Sequence, residues 1–210
     1  ISYYSYGSVL GLSLDLSLRE EKLNLDDFMK QVWNTYGKSE IPYTLGNLQQ
    51  ALADYAGQDF ADTFFDNYIY KSGMPDYKVL LNAVGVTLTQ DAEEPYFGAA
   101  VALNGDGHGE IRSNPKIGTP AYVAGLDKGD EITIINGEGF PDGQQFSAYI
   151  KGLQVGDILK VVFNRYGVQK ETNVVLAPNP NYRLFLSEKE GTKVSKKQLQ
   201  LRNEWLKTHE

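Results

Sequence analysis

From residue 10 to residue 18 leucine alternates with small or polar residues, at Leu10, Leu12, Leu14, Leu16 and Leu18. Strict alternation is the strand period. Leucine, however, is a strong helix former, and β-branched residues are nearly absent from this stretch. Leu10, Leu14 and Leu18 also share one helical face, so the segment is expected as a mostly buried helix. The stretches that follow keep helical spacing. Phe28, Val32 and Trp33 fall on one face behind an acidic opening, Asp26 and Asp27, that suits a helix N-terminus; Gly37 ends the segment. Thr44 precedes Leu45, Leu48, Leu52 and Tyr55, and Gly57 stops that run. Phe60, Phe64 and Tyr68 form the next stripe, and a short segment around Tyr77, Leu80 and Leu81 ends at Gly85. Helices separated by short glycine-containing turns predict an antiparallel helical cluster.

Beyond residue 90 the pattern changes. Turn dipeptides recur at Asn104-Gly105, Asp106-Gly107 and Asn136-Gly137, which favour the positive φ of tight hairpins. Apolar runs lie between them, at 99–103, 131–135, 158–163 and 172–176, with one amphipathic helix at 144–153. The chain is therefore expected to be α+β: a helical cluster over 1–90, then a small antiparallel domain over 91–177, a partly open barrel or sandwich with one or two helices. The remainder, 178–210, opens on the breaker cluster Pro178-Asn179-Pro180-Asn181. It reads as an extended tail with a C-terminal docking helix. Ser195 with Gln198 is a capping-box pattern, and Trp205 and Leu206 are the expected docking side chains.

Composition narrows the chemistry. The 210 residues are 41% hydrophobic and 22% charged, which is globular rather than disordered. No apolar run is long enough to span a membrane. The net charge of -7 argues against nucleic acid as a partner. The absence of cysteine excludes disulfides, thiolate zinc sites and Cys nucleophiles. The two histidines, His108 and His209, stand too far apart for an H-E-x-x-H zinc site. His108 lies in an Asn104–Glu110 run that lacks the later ligands of a calcium loop. The chain starts at Ile1 with no basic or apolar leader and is read as a fragment or processed product.

The run from Gly118 to Gly137, with Pro120, Gly125, Gly129, Asp130 and Asn136 at its turns, resembles a PDZ domain of the bacterial protease-associated type. Gln154-Val155-Gly156-Asp157 and Asn164-Arg165-Tyr166-Gly167 extend the resemblance over 91–177. It implies binding of an extended peptide or a protein C-terminus as an added strand. The implied site is the loop Tyr96, Phe97, Gly98, Ala99 and Ala100, with Phe146 and Ile150 on the flanking helix. Ala99 and Ala100 are smaller than the residues usual there.

The N-terminal part resembles a second family. Tyr3-Tyr4-Ser5-Tyr6-Gly7-Ser8-Val9-Leu10, Leu25–Met29, Trp33, Tyr36-Gly37, Phe64–Ile69 and Pro75-Asp76-Tyr77 are similar to the segment after the zinc site of glycyl aminopeptidase-like metallopeptidases. That family places a PDZ domain after its catalytic domain. The resemblance implies that this chain is the C-terminal part of a zinc aminopeptidase acting on small N-terminal residues such as Gly or Ala. Tyr4 then donates a hydrogen bond to the oxyanion, with Tyr3 as the neighbouring alternative. Zinc belongs to the parent and no cofactor to this fragment, which is expected to be inactive alone. The partners are peptide C-termini and the upstream catalytic domain, and an envelope or periplasmic location follows from the family. The rival expectation is a noncatalytic PDZ adaptor on a helical scaffold.

Overall fold

The alternating leucines form a helix, α1 (Tyr3–Glu20), and the structure explains their period. Leu14 and Leu18 pack into one cluster, with Phe28, Val32, Leu52 and Phe64. Leu12 and Leu16 pack into another, with Leu81, Val84 and Leu201. Positions two apart on a helix point about 200° apart. A helix buried along two flanks therefore carries a strand-like repeat.

α2 (Leu25–Val32) is capped by Asn24, whose side chain accepts the Asp27 amide at 2.8 Å. It continues into a wider turn over Trp33–Gly37. Trp33 does not join Phe28 and Val32 in the core as expected; it is 61% exposed. Five residues after Phe28 it points about 140° away around a regular helix, and its ring takes the space a side chain at Gly37 would fill. α3 (Leu45–Ala56) starts at a Thr44–Asn47 capping box, and Gly57 lies between it and α4 (Gln58–Phe64). Leu45, in the first turn of α3, is exposed rather than buried. α5 (Tyr77–Ala83) is capped by Asp76. Two phenols tie these helices to α1: Tyr6 donates to the Tyr68 carbonyl at 3.1 Å and Tyr77 to the Val9 carbonyl at 2.7 Å. Burial pushes the Tyr77 phenol above its ordinary pKa.

After β1 (Val86–Gln90) come β2 (Pro95–Tyr96), β3 (Val101–Leu103) and β4 (Gly109–Ile111). The short helix α6 (Pro120–Val123) follows, then β5 (Glu131–Ile135), β6 (Glu138–Gly139), α7 (Gly143–Lys151), β7 (Ile158–Arg165), β8 (Val168–Val175) and β9 (Ala177–Pro178). The main sheet runs β3-β4-β5-β7-β8 with β6 on β5, every described pairing being antiparallel; β2 pairs with β9. Among the described residues the strands do not close into a barrel, so this part is an open, PDZ-like sandwich. Ile111, Ile132, Leu159, Val161 and Val174 fill its core beneath Phe97, Phe146 and Ile150. Asn136 and Gly137 turn with φ of 52° and 86°, the left-handed pair that matches strand twist.

β10 (Tyr182–Leu186) pairs with β1, and α8 (Lys196–Trp205) begins at the expected Ser195–Gln198 capping box. The docking side chains differ in part from expectation. Leu201 and Trp205 pack on Leu16 and Leu81, whereas Leu206 is 62% exposed. Leu201 and Trp205 are one helical turn apart, and Leu206 falls past the helix end. Arg202 is buried because its guanidinium is consumed: it donates to the Gly85 carbonyl at 3.0 Å and to both Glu188 carboxylate oxygens. That bond holds the Glu188 carboxyl below its ordinary pKa.

The structure is a computed structural model and describes residues 3–140 and 143–207. By internal packing the chain divides into two units, Ile1–Thr89 with Arg183–Glu210, and Gln90–Tyr182.

Candidate functional site

The loop between β2 and β3 is held by the first turn of α6. A helix start leaves unpaired amides. One of them, Ala121 N–H, donates to the Phe97 carbonyl at 3.0 Å. The neighbouring Thr119 hydroxyl shares its one proton between the Lys116 carbonyl at 2.8 Å and the Gly98 carbonyl at 3.1 Å, so the Gly98 carbonyl still faces α6. Pro120 occupies the first helical position, where a missing N–H costs nothing. Gly98 sits between the two tied carbonyls at φ 92°. A Cβ there would stand 2.8 Å from Thr119 Cβ and 3.0 Å from the Ala121 nitrogen.

These two bonds decide where the loop amides point. In a planar trans peptide the C=O and N–H are antiparallel. The Phe97 carbonyl faces α6, so the Gly98 N–H faces away from it. The Gly98 carbonyl faces α6, so the Ala99 N–H also faces away. Two successive donors are thus presented on one side of the loop, the arrangement that takes an anion such as a carboxylate.

Strand β3 continues this surface. It lies at the edge of the sheet, paired only with β4 among the described residues. Its register is Val101↔Ile111, Ala102↔Glu110 and Leu103↔Gly109. Arg112 N–H donates to the Ala100 carbonyl at 2.9 Å and Asn104 N–H to the His108 carbonyl at 2.9 Å. Even-numbered residues therefore bond to β4, and Val101 and Leu103 turn their peptide groups to the open edge. The Ala99 amide is in phase with them. Ala99 and Val101 are half-buried against the core that holds Phe97, while Ala100 lies exposed on the other face.

The other residues of the predicted site are placed as follows. Tyr96 is half-buried in β2. Phe97 is 3% exposed and meets Phe146 edge-on, ring centroids 5.2 Å apart. Phe146 and Ile150 lie on α7 but are only 5% and 6% exposed. They pack with Phe97 in the core and leave little surface for a ligand, so what the site offers is mainly backbone. Two features of this unit escape sequence reasoning. Lys151 at the end of α7 pairs with Glu94 just before β2, at 3.5 Å. Buried Asp130 accepts the Asp127 amide at 2.8 Å, as its turn position suggests, and also the Arg165 guanidinium at 2.6 and 2.7 Å. Arg165 is 35 positions away, and no sequence signal pairs the two. The Asp130 hydrogen bond raises the Arg165 pKa further above its ordinary value.

Tyr4 occupies the first turn of α1 and is 73% exposed, with Tyr3 74% exposed and their ring centroids 4.1 Å apart. Hydrogen bonding with Tyr4 raises the Tyr3 phenol above its ordinary pKa. Tyr6, by contrast, is committed to the Tyr68 carbonyl. His108 lies at the β3–β4 hairpin tip, and His209 lies outside the described residues. Among the described residues no three His, Asp or Glu side chains are grouped to hold a metal.

No protein-family model and no curated protein matches the sequence. In structure, 99% of the chain is similar to an aminopeptidase N family protein from Idiomarina loihiensis, with TM-score 0.77 and 24% identity. The chain spans 36% of that protein's length. A serine endoprotease from Yersinia pestis matches 42% of this chain and 30% of its own, with 17% identity and TM-score 0.37. The HtrA-type protease AlgW with decapeptide matches the same shares at 19% identity and TM-score 0.39. Likeness as low as these last two fixes neither fold nor function. The first supports the α+β fold described above.

Gly98→Ala is expected to lower the unfolding free energy by about 1–3 kcal/mol in urea titrations, because it adds backbone strain to a close contact. Gly156, at φ 94° with no atom within 4 Å of where its Cβ would stand, is the control, and its alanine variant is expected to lose less.

Proposed function

We propose that the 90–182 unit docks the C-terminus of a peptide or protein as an added strand on β3. The observation that carries this reading is the fixed orientation of the Gly98 and Ala99 amides, continued by the outward peptide groups of Val101 and Leu103. The carboxylate sits on the loop amides, and the ligand backbone runs antiparallel to β3. The buried Phe146 and Ile150 make main-chain pairing, rather than a deep side-chain pocket, the main source of affinity. Titration of the full chain with a peptide bearing a free C-terminus is expected to give saturable binding. Amidating that terminus removes a charge-assisted hydrogen-bond acceptor and is expected to weaken binding on the order of tenfold. Equal binding of the two forms contradicts the reading.

The helical unit belongs, in this proposal, to a longer peptidase-type protein that hydrolyses peptides with small N-terminal residues. The neighbour named for aminopeptidase N supports this, as does the exposure of Tyr4 at the start of α1. The described residues supply no zinc site, and zinc is assigned to the remainder of that longer protein. Tyr4 contributes an exposed phenol O–H that donates to a developing oxyanion. In the longer protein, Tyr4→Phe is expected to lower kcat for a glycyl substrate by about 10²–10³. A loss below about threefold contradicts the role, and an absence of chelator-sensitive turnover leaves docking as the whole function.

A further inference from the structure

We infer that Arg112 is a specificity residue of the β3 edge, selecting ligands with an acidic side chain three residues before the C-terminal residue. The inference rests on the docking reading above. Arg112 lies cross-strand from Ala100, and Glu110 from Ala102. Side chains of cross-strand partners share a face. Arg112 and Glu110 therefore lie on the face opposite Val101, where β3 carries only the methyl groups of Ala100 and Ala102. With so little bulk in the way, the guanidinium reaches the edge itself. Its Nη2 donates to the Leu103 carbonyl at 3.3 Å and its Nη1 pairs with Glu110 at 2.8 Å. The Arg112 side chain remains 48% exposed.

The Leu103 carbonyl is one of the groups an added strand must use. A ligand whose carboxylate sits on the Ala99 amide places its third residue from the end opposite Val101 and its fifth opposite Leu103. The fifth residue's N–H then takes the Leu103 carbonyl and releases Arg112 Nη2. The fourth residue lies opposite Ala102, and its side chain falls on the face that Arg112 occupies. A Glu there accepts the released donor, so Arg112 exchanges a carbonyl for a carboxylate. A neutral residue there leaves that donor to water. Glu110 already neutralises part of the guanidinium charge, and the site is half-exposed, so the preference is modest.

The test uses the full 210-residue chain and two free-terminus peptides, identical except for Glu or Gln at the fourth position from the end. The Glu peptide is expected to bind about three- to fivefold tighter at low salt. The difference is expected to fade at about 0.5 M NaCl, where the screening length falls to about 4 Å. In Arg112→Gln the two peptides are expected to bind alike, and the Gln peptide no more weakly than to the parent chain, since the Leu103 carbonyl is easier to reach. Equal binding of both peptides by the parent chain, with discrimination against an amidated terminus retained, overturns this inference and leaves the docking reading standing. A uniform loss for both peptides in Arg112→Gln makes the residue structural and also overturns it. If neither peptide binds, the docking reading fails and takes the inference with it.

Discussion

Two contacts at the start of α6 set the geometry on which the candidate site depends: Ala121 N–H donates to the Phe97 carbonyl, and the Thr119 hydroxyl is shared between the Lys116 and Gly98 carbonyls. Each fixes the plane of a peptide unit and so aims the N–H at its other end. The same bonds satisfy an amide that a four-residue helix leaves unpaired. Glycine at 98 follows, because the backbone there is left-handed and pressed against Thr119 and Pro120. The Phe97 ring is then directed inward onto Phe146, so the loop is anchored by packing as well as by hydrogen bonds.

The fold was largely legible in the sequence because its elements are locally determined. Thr44 and Ser195 mark helix starts, and the Asn136-Gly137 turn falls where its dipeptide places it. The leucine alternation of α1 was ambiguous for a physical reason: a helix buried on two flanks imitates a strand. Leu206 escaped because burial at a helix end depends on where the helix stops, and Trp33 because it lies about 140° around the helix from Phe28, off the stripe it was grouped with.

The site was legible in part. Gly98 and the β3 segment were reached through the resemblance of 118–137 to a PDZ domain, not from the loop's own residues. The burial of Phe146 and Ile150 could not be read, since it depends on where Phe97 points. Charge pairs were harder still. Arg165 with Asp130 and Arg202 with Glu188 join residues 35 and 14 positions apart, and any of several acidic residues could have served. Arg112 stayed hidden because its importance comes from register: only cross-strand pairing with Ala100 brings it to the edge. The small residue that stands out as a departure at Ala100 is what lets it reach there.

Docking on β3 requires the Gly98 and Ala99 amides as donors to the ligand carboxylate. Their backbone resonances should be followed by NMR in the full chain as a peptide with a free C-terminus is added. Both amide protons are expected to move strongly downfield, as donors to a carboxylate do, ahead of smaller changes at Val101 and Leu103. Unmoved Gly98 and Ala99 signals at saturation, with the changes centred elsewhere, would contradict it.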